Sequence, residues 1–246
     1  MTAFDLIALG DNCIDRLTGA VTADLVGGNA VNVAVQAAML GLRTAYCGSV
    51  GPTGEADGDR VLFAVAAKGV DVSLADRRGS ATSVTRLNVA PDGNRTILTE
   101  DFGACAGWVP DAARLRTLKA ARHVHIGWLQ DGGHARRVLA RDGVSLSQDV
   151  SVNAAPEDLG VEGLAIAFAS LPEVQAELER VKAQWVAGAV YQQDSVFNQG
   201  RMRRDFTYID DIVTGVIACA DKPASADPRF DSAAPDPATS WAPHRL

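Results

Sequence analysis

Apolar and polar positions alternate in blocks along the first 170 residues. Residues 4–9 form an apolar run that ends at Gly10, the pattern of a buried strand feeding a turn. Gly27-Gly28-Asn29 opens residues 30–40, an Ala/Val-rich segment closed by Gly41, which predicts a buried helix. A strand is predicted over 44–50 and a helix over 57–68, ending at Gly69. Residues 83–89 and 95–99 flank Pro91-Asp92-Gly93-Asn94, a turn of fixed and positive φ, so they predict a hairpin outside the main sheet. Strands are predicted over 124–128, 144–149 and 164–169, with a helix over 135–141 between the first two. Strands alternating with helices predict an α/β fold, a mostly parallel sheet with helices on its faces.

The pattern changes near Pro172. Residues 173–187 and 211–221 read as amphipathic helices, and 206–209 reads as a strand. Five of the ten prolines lie in 223–246 among Ala, Ser and Asp, a composition that predicts a disordered tail. Three parts follow: a domain over 1–173, a segment over 174–221 and a tail over 222–246.

Composition narrows the function classes. The formal charge of −7, with no long basic run, argues against nucleic acid as a partner. No apolar stretch nears the roughly 20 residues that span a bilayer, and the N-terminus lacks a basic, signal-like start, so a cytoplasmic protein without membrane partners is expected. Cys13, Cys47, Cys105 and Cys219 are scattered, which fits free thiols better than a disulfide or zinc site. His123 and His125 alternate along one strand and face one side; with no third ligand in view they read as structural, and no metal site is expected.

Candidate chemistry gathers at the first strand end. In open α/β sheets, ligands bind beyond the carboxyl ends of strands. Asp15 follows the first strand and can accept two hydroxyl hydrogen bonds from a polyol. Gly27 and Gly28 allow close approach of backbone to ligand. Asn32 can donate and accept toward a hydroxyl. Asp11 and Asn12 serve equally well as turn or cap residues, and Trp128 and Asp149 as a core aromatic and a strand-end turn residue.

The run Gly10-Asp11-Asn12-Cys13-Ile14-Asp15, followed by Gly27-Gly28-Asn29-Ala30-Val31-Asn32, resembles the opening of PfkB-type, ribokinase-like carbohydrate kinases. It is most similar to the fructoselysine 6-kinase branch, and the likeness extends over about 4–173. The resemblance implies a three-layer αβα sandwich with a β lid over 83–99. It also implies ATP and Mg²⁺ as partners of a small-molecule sugar, with Asp15, Gly28 and Asn32 lining its pocket, assisted by Asp11, Asn12, Gly27 and Trp128. Such kinases carry an Asp-Thr-x-Gly-Ala-Gly-Asp motif that supplies an anion hole and a base. No such string occurs in these 246 residues, so weak or absent phosphotransfer is expected. Catalytic residues stay unassigned.

Residues 195–243, including Arg203-Arg204-Asp205-Phe206-Thr207-Tyr208, resemble part of nucleotide-sugar epimerases of the UDP-glucuronate 4-epimerase branch. That resemblance implies a diphosphate contact for Arg204. A Gly-x-x-Gly-x-x-Gly turn and a Tyr-x-x-x-Lys pair are absent from the sequence, which speaks against NAD. A non-catalytic sugar-binding or assembly module, with a homodimer formed through an open sheet edge, is the alternative from another class.

Overall fold

The computed structural model describes residues 4–79, 81–150, 157–158, 160–169 and a strand at 190–193. The first strand, β1 (Leu6–Leu9), is buried at every position. Helix α1 (Asn29–Met39) leads back to β4 (Thr44–Cys47), which pairs parallel to β1. On β1's other side lies β9 (His123–Ile126), then β10 (Leu146–Asp149), β11 (Ile166–Ala169) and β12 (Val190–Gln193). All five pairings in this six-stranded sheet are parallel. Strands buried on both faces read as continuous apolar runs, which is why β1 lacks alternation.

Two apolar layers sandwich the sheet. Odd positions of β1 (Ile7, Leu9) join Val124, Ile126 and Leu146 against Leu118 of α3 (Ala112–Lys119) and Leu139 of α4 (His134–Arg141). Even positions (Leu6, Ala8), with Tyr46, pack on Ala30, Val33, Ala34 and Ala37 of α1. Val61 and Val65 of α2 (Ala56–Ala66) complete that side. The small side chains along α1 let helix and sheet approach closely.

The predicted strand over 44–50 divides at Gly48, where a Cβ would clash with the Tyr46 hydroxyl and the Gly10 carbonyl oxygen. Its second half, β5 (Ser49–Val50), turns aside to pair with β6 (Asp76–Arg77). The predicted hairpin forms as β7 (Val84–Val89) and β8 (Arg95–Asp101), outside the main sheet. It is half of a four-stranded sheet, because β2 (Cys13–Gly19) and β3 (Ala23–Gly27) add to it in the order β3-β2-β7-β8. Arg16 on β2 pairs with Asp57 of α2, and Arg60 of α2 reaches Asp24 of β3 at 3.2 Å. These ion pairs hold the small sheet beside α2.

Candidate functional site

The chain leaves β1 at Gly10 and re-enters as β2, so Asp11 and Asn12 lie between the two sheets and Asp15 stands early in the second. Asp11 is spent on backbone. Its carboxylate accepts from the N–H groups of Asn29 (2.7 Å), Ala30 (3.1 Å) and Trp128 (3.0 Å). It thereby caps α1 and ties that helix to the end of β9. Burial pushes the Asp11 carboxyl up, against the three N–H groups that hold its charge. Asn12 is 1% exposed, and its amide donates to the Tyr46 hydroxyl at 2.7 Å and the Ser49 carbonyl at 2.6 Å. The expectation that Asp11 and Asn12 assist at the ligand therefore meets two side chains directed inward to hold the loop, the cap alternative.

Asp15, Gly27, Gly28 and Asn32 come together around the start of α1. Asp15 stands on β2 and accepts from the Cys13 thiol at 3.1 Å. A Cβ on Gly27 would lie 2.9 Å from Asp15 Oδ2, so this glycine makes room for the carboxylate. Gly28 has φ 110°, and a Cβ there would fall 2.6 Å from the Asn12 Cα. Only glycine fits both demands. Asn32 lies one turn into α1 and is exposed, while its neighbours Val31 and Val33 are buried.

Trp128 follows β9 and stacks on Phe102, which follows β8, with ring centroids 4.3 Å apart and planes 9° off parallel. One indole face is thus covered, and the stack bridges the two sheets.

Sequence reasoning quoted Asn29 within the opening motif without a role, read His125 as structural, and left Asp149 open between a strand-end turn residue and a ligand contact. The structure joins all three. The Asn29 amide donates to Asp149 Oδ2 at 2.8 Å, and its carbonyl oxygen lies 2.8 Å from His125 Nε2. His125 Nδ1 meets Ser147 Oγ at 2.9 Å, Ser147 meets His123 Nε2 at 2.8 Å, and His123 Nδ1 meets Ser145 Oγ at 2.9 Å. Parallel pairing in register sets this up, since His125 opposes Ser147 and residues two apart share a face. The available signal was alternation: His123/His125 and Ser145/Ser147/Asp149 are matching polar stripes in otherwise apolar strands. Burial lowers His123 to about 4 and His125 to about 3, so both rings are neutral at physiological pH. Burial, then the nearby Asp11 charge, raises Asp149 to about 6.

Burial raises the Cys47 and Cys105 thiols to about 12, which leaves both unreactive; Cys13 is likewise free and raised. Among the described residues no group of three His, Cys, Asp or Glu could hold a metal ion. No helix among them is long and apolar enough to cross a membrane. Arg204, Cys219, the predicted helices over 173–187 and 211–221, the strand over 206–209 and the tail over 222–246 lie outside the described residues.

The fold has close counterparts. Ribokinase of Arabidopsis thaliana, solved with ribose and ATP, superposes with a TM-score of 0.60 at 16% identity, over 79% of this chain and 73% of that one. A PfkB protein from Polaromonas sp. JS666 gives 0.59 at 19% identity, over 78% and 77%. Adenosine kinase from Sinorhizobium meliloti gives 0.58 at 17% identity, over 79% and 76%. Among curated proteins, "Protein CapI" of Staphylococcus aureus is 47% identical over 51 residues, which are 21% of this chain and 15% of that protein. The chain therefore spans only a small part of that relative. Residues 16–133 match the profile described as pfkB family carbohydrate kinase. Over those residues the chain is similar to PfkB-family carbohydrate kinases, and its described residues adopt a ribokinase-like α/β fold.

Proposed function

We propose that this protein binds a small sugar or sugar-amine at the start of α1 as a carbohydrate kinase-like domain, with little or no phosphotransfer of its own. The observation that carries the reading is the setting of Asp15. Its carboxylate stands against Gly27, just before α1, and the exposed Asn32 lies one turn into that helix. A carboxylate plus an amide, approached by bare backbone, is a donor and acceptor set suited to adjacent hydroxyls. The likeness of the opening motif to the fructoselysine 6-kinase branch makes a ketosamine the first ligand to try. ATP and Mg²⁺ are the partners such a reaction would need.

The weak-transfer half rests on the missing Asp-Thr-x-Gly-Ala-Gly-Asp string. Two aspartates elsewhere are engaged in ion pairs: Asp59 with Arg77 at 2.7 Å and Asp142 with Lys119 at 2.6 Å. Loss of even one preorganised donor to a developing charge costs about 10²–10³ in rate. Calorimetric titration with fructoselysine and fructose should show saturable binding that Asp15→Ala removes. A coupled ADP-release assay should stay near background. Robust sugar-dependent turnover would sink the weak-transfer half, and no binding by either sugar would sink the whole.

A further inference from the structure

The side chains of Ser145, His123, Ser147, His125 and Asn29 form one unbroken series of hydrogen bonds ending on Asp149. Its direction is fixed at the far end. A carboxylate can only accept, so Asn29 must turn its NH₂ toward Asp149 and its oxygen toward His125. His125 must then donate from Nε2 and accept at Nδ1. Ser147 donates to that Nδ1 and accepts from His123 Nε2, and Ser145 donates to His123 Nδ1. Each ring nitrogen in the series is used once, with both imidazoles neutral. His123, His125 and Ser147 are buried, whereas Asn29 and Asp149 are partly exposed at the carboxyl end of the sheet. An interior relay thus delivers one oriented amide to one carboxylate at the surface where ligands bind in this architecture.

We propose that Asp149 is a specificity-determining acceptor of the sugar site, and that the relay through His125 and Asn29 is the positioning device that holds it as an acceptor. The proposal rests on the reading of that site as a sugar site. Among the described residues the Asn29 amide is the one hydrogen-bond partner of the Asp149 carboxylate, and no cation pairs with it. The carboxylate keeps acceptor capacity that a ligand hydroxyl or ammonium can fill. Asp15 and Asp149 would then grip separate donors of one ligand, and a ligand with a single donor group would be discriminated against.

The titratable groups that face Asp149 are few. Asp11, from the turn after β1, disfavours its charge. His125 and His123 of β9 act through Asn29 and stay neutral. Helix α1 presents the Asn29 amide, and the register partner on β11 is the uncharged Phe168. A ligand donating to the ionised carboxylate therefore binds more weakly as pH falls through about 6, the value to which Asp149 is raised.

The test is titration of the full chain with fructoselysine, and with fructose as a ligand lacking the amine, from pH 5 to 8. For wild type, affinity should fall about tenfold per pH unit below the midpoint. Asp149→Asn should bind about 10- to 100-fold more weakly at pH 8, as expected for loss of a charge-assisted hydrogen bond, with a flat pH profile. Ser147→Ala lies away from the ligand but frees His125 to take the other tautomer. Asn29 then reverses and presents its oxygen to Asp149, so the midpoint should move upward. An unmoved midpoint in Ser147→Ala overturns the relay, since a merely structural serine would alter stability alone. Wild-type binding matched by Asp149→Asn overturns the role of Asp149 while leaving the sugar site intact. Absence of binding by wild type overturns the sugar-site reading itself. A carbon-13 carboxyl titration of wild-type Asp149, with and without fructoselysine, needs no variant: bound sugar should lower the midpoint, and an unchanged midpoint overturns the proposal.

Discussion

At the scale of single residues, the two adjacent glycines before α1 have different jobs, and the difference can be measured. Gly28 holds φ 110° with its Cα hydrogens against the Asn12 backbone, so Gly28→Ala meets both strain and a clash that no side chain can relieve. Strain of this kind costs about 1–3 kcal/mol before the clash is counted. A loss of unfolding free energy of at least that size, seen as a lower urea midpoint, is expected, and an unchanged midpoint would show that the loop can yield. Gly27 sits in β3 with ordinary backbone, and its missing Cβ would press on the movable end of Asp15 and touch the Cys13 sulfur at an ordinary 3.4 Å. Gly27→Ala should therefore displace the carboxylate at little cost in stability. Sugar affinity should drop about tenfold or more, the worth of one hydrogen bond to a charged group, with the urea midpoint almost unchanged. The pair separates folding from binding at neighbouring positions.

At the scale of elements, the link between the sheets is aromatic as well as ionic. Phe102 and Trp128 stack at 4.3 Å where β8 and β9 end, and neither ring is fully buried. Such a pair contributes about 0.5–1.5 kcal/mol beyond the area it covers. Phe102→Ala should lower global stability only modestly yet raise amide hydrogen exchange in β7 and β8 more than in β1 or β9. Uniform acceleration across both sheets would contradict a local link. The hydrophobic pattern made much of this legible. Buried runs marked β1, β9, β10 and β11, glycine stops marked α1 and α2, and Pro91–Asn94 marked the turn of the hairpin. The strands β2 and β3 were missed because they are polar, half-exposed ribbons: Cys13–Gly19 alternates poorly, and Ala23–Gly27 reads as an approach to the glycine pair. Helix α3 was missed because its face carries little beyond Leu115 and Leu118. For the site, Asp15, Gly27, Gly28 and Asn32 share a short stretch of chain and could be grouped from motif spacing. Asn29, His125 and Asp149 are brought together by strand order, 96 residues separating Asn29 from His125 and 120 separating it from Asp149. No local pattern reports that β10 neighbours β9 in register.

At the scale of the whole molecule, the buried relay should govern how stability depends on pH. His123 and His125 titrate at about 4 and 3 in the folded chain against an ordinary 6.5, so unfolding takes up protons at each as pH falls below 6.5. Stability is thereby lost from pH 6.5 downward. Asp149 works in the opposite sense, because its folded value of about 6 lies above the ordinary 3.8. Between about pH 4 and 6 the folded state holds that proton more tightly than the unfolded chain, so acidification favours folding there. Asp11, also raised, pulls the same way. Two histidine protons gained against one aspartate proton released leave about one net proton in that window, or about 1.4 kcal/mol per pH unit, reduced further by Asp11. Asp149→Asn removes one offset. The ligand-free variant should be more stable than wild type at pH 7, by up to about 3 kcal/mol for a shift of this size, and its stability should fall more steeply toward pH 4. Urea unfolding at half-unit steps from pH 4 to 7 measures both slopes. Equal slopes in wild type and variant would mean that Asp149 is not held as an unfavourable buried charge. If the steeper slope appears together with loss of sugar affinity, the same carboxylate that destabilises the empty fold is the one the ligand satisfies, a trade expected of a binding group and not of a structural one.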